Sequence, residues 1–341
     1  MKTTEERYQR FSLCREMSET IGIVRNFDPG RLIPLAEELS SKDKLMLAGE
    51  GSSRIFPAMN AISNLLKNSA NKTIITEGCL QAMEYNLGDF AVLGLSNSGR
   101  TRELLNLFGK LRHEKHDALY SVTAYADSPV TGISRACVLN CGPEKAVAAT
   151  KSVVEQALTL QVLTSFYAGD FSALNDDFKE TTRRLANALE YTLTADIETD
   201  IIKVYAGASK VYFAGRNNGV AEELALKANE ITRKKSMYLG GTFLLHGIEE
   251  VMDAGEIVIL VDPWQSEEEK IRKVISHGAG LQVFAISSRQ TSFPTILVPD
   301  LKKFQGYIQL LAGWNLLVEA GLSMGINIDK GLRARKIGNE G

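Results

Sequence analysis

The stretch Phe90-Ala91-Val92-Leu93-Gly94-Leu95-Ser96-Asn97-Ser98-Gly99-Arg100-Thr101-Arg102-Glu103-Leu104-Leu105-Asn106-Leu107-Phe108 decides how this chain folds. An unbroken apolar run fits a strand covered on both faces. The leucines and phenylalanine after Thr101 recur at helical spacing. The polar link between them is therefore a strand-to-helix turn with three hydroxyls, one amide and one glycine. Hydroxyls beside the free N–H groups of a helix N-terminus form an anion site, and a phosphate monoester such as a sugar phosphate fits that chemistry best. A Ser/Thr-rich cap also forms with no ligand. No Gly-x4-Gly-Lys-Ser/Thr is present, so the turn is not a Walker loop.

Outward from this turn the chain reads as a duplication. Lys44-Leu-Met-Leu-Ala-Gly-Glu-Gly-Ser-Ser53 has its counterpart in Lys210-Val-Tyr-Phe-Ala-Gly-Arg-Asn-Asn-Gly219. Residues 91–95 pair in order with 257–261, 119–124 with 282–287, and 137–140 with 295–299. Helical patterns lie near 54–68, 101–114, 149–168, 219–234, 265–278 and 304–322. Short apolar strands alternating with helices predict parallel sheets with right-handed crossovers. The expected fold is α/β: two flavodoxin-like α/β/α sandwiches, with the turns 49–54, 96–101 and 215–219 at the carboxyl ends of strands, where ligands sit in open sheets. The expected division is an N-terminal arm (1–33), a first domain (34–170), a helical connector (171–199), a second domain (200–325) and a C-terminal tail (326–341).

Composition narrows the function classes. With 341 residues, 44% hydrophobic and 23% charged, the chain has the profile of a soluble two-domain protein. A net charge of −2 leaves no footprint for nucleic acid. No apolar run is long enough to span a membrane, and the start Met1-Lys2-Thr3-Thr4-Glu5-Glu6-Arg7 has no signal-peptide core. Cys137 and Cys141 carry half the spacing of a metal site without a second Cys/His pair nearby, so reduced thiols and a cytoplasmic location are expected.

Several motifs carry alternative readings. Gly49-Glu50-Gly51-Ser52-Ser53 opens like a dinucleotide fingerprint, but Arg54 stands where the third glycine belongs, and a tight turn offering the Ser52 and Ser53 hydroxyls is the simpler reading. Gly94-Leu95-Ser96-Asn97-Ser98-Gly99 misses the nucleophile-elbow spacing by one residue. In Gly142-Pro-Glu-Lys-Ala-Val-Ala-Ala-Thr-Lys151, the small residues allow either close approach to a ligand or close helix packing. Glu223, Lys227 and Glu230 share one face of a helix, as an ion-pair stripe or as acid/base machinery. Among four histidines, His246 alone lies in an apolar, glycine-flanked loop, Gly240-Gly-Thr-Phe-Leu-Leu-His-Gly247. The tail is either a solvated basic segment or a cover that brings Lys336 to a substrate carbonyl.

Together these residues resemble the tandem sugar-isomerase (SIS) domain family. The resemblance covers about residues 35–341. It is similar to the isomerase half of glutamine–fructose-6-phosphate aminotransferase, and closer to stand-alone SIS-type glucosamine-6-phosphate deaminases. The family's Gly-Thr/Ser-Ser turn matches Gly51-Ser52-Ser53, its Ser-Gln-Ser-Gly-x-Thr loop matches Ser96–Thr101, and its Val-Ala-x-Thr-Lys segment matches Val147-Ala148-Ala149-Thr150-Lys151. The catalytic glutamate of its Lys-x-x-Glu-Ile helix falls on Glu230, its ring-opening histidine on His246 and its C-terminal lysine on Lys336. Asn97 replaces glutamine, Arg100 replaces glutamate, Ile248 stands where proline is common, and Gly331 replaces a tail proline.

The resemblance implies an amino-sugar phosphate isomerase/deaminase that needs no metal or organic cofactor. Ser52, Ser53, Ser96, Asn97, Ser98, Thr101, Val147, Ala148 and Lys227 would bind a phosphorylated amino sugar, with the 6-phosphate on the 96–101 loop. Glu230 would move a proton between C1 and C2, His246 would open the ring, and Lys336 would form a Schiff base or stabilise an oxyanion. A homodimer is implied, with the His246 loop reaching a neighbouring subunit. With Lys2 after Met1 and no glutaminase domain, the full aminotransferase reaction is not expected. A fructosamine-6-phosphate deglycase, a plain aldose–ketose isomerase and a non-catalytic sugar-phosphate sensor are the alternatives.

Overall fold

The computed structural model describes residues 1–2, 4–68, 72–175 and 177–334. Among them lie two five-stranded, all-parallel sheets. The first contains β1 (Lys44–Gly49), β2 (Thr73–Glu77), β3 (Phe90–Leu95), β4 (Leu119–Thr123) and β5 (Arg135–Val138) in the order β2-β1-β3-β4-β5. The second contains β6 (Lys210–Gly215), β7 (Lys235–Gly240), β8 (Ile257–Val261), β9 (Gln282–Ser287) and β10 (Thr295–Leu297) in the order β7-β6-β8-β9-β10. Both orders are the 2-1-3-4-5 of flavodoxin-like sheets, so the duplication expected from sequence is a duplication of topology.

The chain divides into two compact units. One comprises Gly22–Glu144 and Ala149–Arg184 and holds the first sheet; the other comprises Met1–Ile21, Lys145–Ala148 and 185–334 and holds the second. In the first unit, β3 is buried from Ala91 to Leu95 because helices cover both faces of the sheet. The helix Arg102–His113 buries Leu104, Leu107, Phe108 and Leu111 against Met46, Ala48, Val92 and Leu119. Gly94 makes that contact possible: a Cβ there would stand 2.6 Å from Leu104 Cδ1. In the second unit, Tyr212, Val258, Leu260, Ile271 and Ile275 form the equivalent core.

One close approach recurs in both units. Gly49 is the register partner of Leu95, and an added Cβ would meet the Leu95 carbonyl at 2.8 Å. Gly215 pairs with Val261 and would meet its carbonyl at 2.7 Å. A glycine thus ends the first strand of each half, at the point where strand order reverses. The helices after the last strands, Lys151–Tyr167 and Gln305–Ser323, are buried nearly all round, as their weak amphipathicity requires. No helix among the described residues is long and apolar enough to cross a membrane.

Candidate functional site

In the first unit, the turns after β1 and β3 flank the reversal point of the sheet. Ser52 and Ser53 are half-buried in a short helical turn, Gly51–Ser53, entered through Gly51 at φ +51°. The backbone N–H of Asn97 donates to Ser53 Oγ at 3.3 Å, which joins the two turns. Ser96 is buried, and its hydroxyl pairs with Thr101 Oγ1 at 2.8 Å while accepting the Gly99 N–H at 3.0 Å. The Ser98 hydroxyl accepts the Arg100 N–H at 3.2 Å. Gly99 has φ +62°, and a Cβ there would overlap Ser128 at 2.1 Å. Ser96 therefore builds the loop, while Ser98 and Thr101 remain half-buried at its surface. Thr101 makes no side-chain cap on Arg102–His113, so the first N–H groups of this helix are not closed by its own N-cap residue.

Glu144 organises the same unit, and the sequence reading gave it no role. Its carboxylate accepts the Thr150 N–H at 2.8 Å, the Ser152 N–H at 3.3 Å and the Ser152 hydroxyl at 2.6 Å. It thereby caps the helix Lys151–Tyr167 with negative charge. It also receives Asn97 Nδ2 at 3.4 Å, which directs that amide group to Glu144. A carboxylate shortly before a predicted helix start was the signal available in the sequence.

In the second unit, Glu230 sits where the helix changes form. Val220–Lys227 is α-helical; Ala228–Thr232 widens into a π-turn and ends at Arg233 in the left-handed region, φ +54°. Such turns are rare and concentrate at functional sites. Thr232 Oγ1 bonds to the Ala228 carbonyl at 2.7 Å and to the buried Tyr205 hydroxyl at 2.9 Å, which anchors the turn. Lys227 is wholly buried, with Nζ 2.7 Å from Glu230 Oε2 and 3.2 Å from Glu223 Oε1. Burial pulls the lysine pKa down, but the carboxylates of Glu230 and Glu223 outweigh it and raise the pKa overall. The Glu230 side chain keeps 21% of its surface open.

His246 is exposed, with Nε2 3.2 Å from Thr242 Oγ1. Buried Leu244 and Leu245 anchor its loop, and Gly247 at φ +102° turns the chain away. Val147 and Ala148 belong to this unit; the Val147 N–H donates to the Asp329 carbonyl at 3.0 Å. Lys336 lies outside the described residues. The reversal point of the second sheet differs in chemistry from that of the first: Arg216 pairs with Asp262 at 2.7 Å and stacks over Trp264 at 4.6 Å, in place of a hydroxyl-bearing turn.

No family model matches the chain. The isomerizing glutamine–fructose-6-phosphate aminotransferase of Oceanobacillus iheyensis is 25% identical over 247 residues, covering 69% of this chain and 41% of the relative. The chain thus spans less than half the length of that relative. Among solved structures, the C-terminal domain of glucosamine-fructose-6-phosphate aminotransferase from Francisella tularensis superposes with a TM-score of 0.80 at 18% identity, covering 97% of this chain and 100% of that one. The glucosamine-6-phosphate deaminase of Thermotoga maritima superposes with a TM-score of 0.70 at 17% identity, covering 95% and 98%. Sequence likeness and the paired 2-1-3-4-5 sheets agree: the chain resembles the tandem sugar-isomerase (SIS) domain proteins and shares their fold.

Proposed function

We propose that the chain is a phosphosugar isomerase whose reaction is the conversion of an amino-sugar 6-phosphate, glucosamine 6-phosphate, to fructose 6-phosphate and ammonia. The observation that carries this reading is Glu230: a partly open carboxylate at a π-turn, with one oxygen held by a fully buried lysine. A base that must move a proton repeatedly between two adjacent carbons needs a fixed position and an open face.

In this reading Ser98, Thr101 and the N–H groups opening the helix Arg102–His113 take the phosphate, and Ser96 and Glu144 keep that loop in shape. Ser52 and Ser53 offer hydroxyls to the sugar. His246 assists ring opening. Glu230 removes the proton from C2 and delivers it to C1 through an enediol-type intermediate. Water then adds to the C2 imine, ammonia leaves, and the C2 ketone of fructose 6-phosphate remains. Lys336 serves as a Schiff-base former or stabilises developing oxyanion charge. The working unit is a homodimer, with His246 contributing in trans; Phe243 and Val251, exposed apolar residues near it, supply surface for such a contact.

The test is a coupled assay with glucosamine 6-phosphate that reads ammonia and fructose 6-phosphate in parallel. Equal yields of both are expected. Binding without ammonia, followed by amine release from a fructosamine 6-phosphate, would replace the deaminase with a deglycase. Binding without turnover of any phosphosugar would replace catalysis with sensing.

A further inference from the structure

The N-terminal helix Ser12–Arg25 precedes the sequence motifs that carry the family resemblance, yet it is joined to the segment carrying Val147 and Ala148 by a closed ring of hydrogen bonds. Glu16, on this helix, is 5% exposed. Its carboxylate accepts the N–H of Lys145 and, at 3.3 Å, that of Ala146. The next N–H, that of Val147, donates to the Asp329 carbonyl at 3.0 Å. The Asp329 carboxylate returns to the helix, accepting the Ser12 N–H at 2.9 Å and the Leu13 N–H at 2.8 Å. Three successive amides are thus fixed by two acidic residues that the helix itself ties together. All of these residues lie in the second-sheet unit.

We propose that Glu16 and Asp329 are positioning residues for the 145–148 segment, so that the N-terminal helix sets the geometry of a substrate-binding stretch. The role of Val147 and Ala148 rests on the function proposed above; the ring itself does not. A carboxylate on two adjacent N–H groups is a strong, directional clamp. Ala146 and Ala148 are buried methyl side chains with no polar atom, so they cannot hold this backbone by hydrogen bonds of their own. The neighbouring Arg233 adds a second tie, donating to the carbonyls of Asn327 at 3.2 Å and Lys330 at 3.1 Å on either side of Asp329.

The test compares Glu16→Ala, Glu16→Gln and Ile21→Ala in the full chain. Ile21 is a buried residue of the same helix outside the ring and serves as a packing control. Amide exchange is read at 145–147, and KM and kcat are read on the phosphosugar that the wild type turns over. Glu16→Ala is expected to lose protection at these amides and to raise KM by about tenfold or more with a smaller change in kcat, because charge-assisted bonds are removed from the segment. Glu16→Gln, which keeps one acceptor oxygen, should recover part of both. Ile21→Ala should lower Tm without a comparable rise in KM. Unchanged exchange in Glu16→Ala, or an equal KM change in Ile21→Ala, overturns the proposal. If the wild type turns over no phosphosugar, the functional reading fails, and loss of protection confined to 145–148 still supports the clamp while its absence refutes it.

Discussion

Lys227 Nζ stands 2.7 Å from Glu230 Oε2, and the lysine is fully buried while the glutamate is not. The pair fixes one oxygen of the carboxylate and leaves the rest of the side chain partly open, which suits a mobile proton on a stationary base. Glu230→Gln keeps a hydrogen-bonding shape but cannot take up a proton. Turnover is expected to fall by about 10²–10⁴-fold with sugar-phosphate affinity nearly unchanged, the range typical of a lost general base. Steady-state kinetics with a parallel binding titration checks this; normal turnover in the mutant would remove Glu230 from the mechanism.

The same lysine also bears on stability. Lys227→Met takes from Glu223, itself fully buried, the positive charge 3.2 Å away. A loss of about 3–5 kcal/mol is expected, as for other broken buried pairs, and adding Glu223→Gln should restore much of it. The pKa of Lys227 is raised in the fold. Its stabilising contribution is therefore complete below the unfolded value of about 10.4 and is lost only as pH climbs through the folded value. The stability difference between wild type and Lys227→Met should stay constant from about pH 7 to about pH 9 and shrink only in stronger alkali. Urea unfolding across that range is the measurement, and a gap that closes near neutrality would contradict the ion-pair account.

Gly99 offers a sharper test of the phosphate loop. An alanine there would carry φ +62° and place its Cβ 2.1 Å from Ser128 Oγ and 2.4 Å from Ser128 Cβ. The backbone strain alone is worth about 1–3 kcal/mol, before the overlap is counted. Gly99→Ala is expected to destabilise the chain and to weaken binding of phosphorylated sugars. Adding Ser128→Gly removes both nearest atoms and should return part of the stability, leaving the strain and the approach of Thr123 Oγ1 at 2.9 Å. Thermal melts of the two variants separate overlap from strain.

The hydroxyls of that loop can be removed without the backbone strain that a change at Gly99 imposes. Ser98→Ala with Thr101→Ala should weaken binding of a sugar phosphate while binding of the unphosphorylated sugar changes little. Thr101 Oγ1 also bonds Ser96 at 2.8 Å, so the single Thr101→Ala is expected to cost more stability than Ser98→Ala. Equal affinity for the double variant and wild type would sink the assignment of the loop to phosphate.

How far the sequence could be read depended on whether the signal was local. β1, β3, β6 and β8 are covered on both faces, and each appears as an apolar run. β2 and β7, which lie at sheet edges, were not read as strands. Thr73 and Ile75 of β2 are exposed, and β7 alternates from Lys235 to Tyr238 between exposed and half-buried positions. The strand-turn-helix around Ser96–Thr101 was legible because its chemistry lies within a few residues. The ring through Glu16 and Asp329 and the contact of Asn97 with Glu144 depend on partners that the fold brings together. The widening at Ala228–Thr232 left no mark either, since the helix ends there and no later helical positions show the shifted phase.

The duplication extends to a pair of lysines that no apolar pattern reveals. Lys72, just before β2, donates to the carbonyls of Ser40 at 3.0 Å and Lys42 at 2.8 Å, closing the end of the helix Ile33–Ser40 that leads into β1. Lys234, just before β7, donates to the carbonyls of Ala206 at 2.5 Å and Ala208 at 2.7 Å, closing the end of the helix Thr199–Gly207 that leads into β6. Each lysine satisfies carbonyls that a helix end leaves open. Lys72→Met and Lys234→Met should each cost about 1–2 kcal/mol, the upper range for a cation at a partly buried helix C-terminus. Because each cap belongs to a different compact unit, their effects should be local. Hydrogen exchange should quicken at 33–40 in the first variant and at 199–207 in the second. Faster exchange in both helices from either single change would mean that the caps act on one cooperative structure instead of two repeated ones.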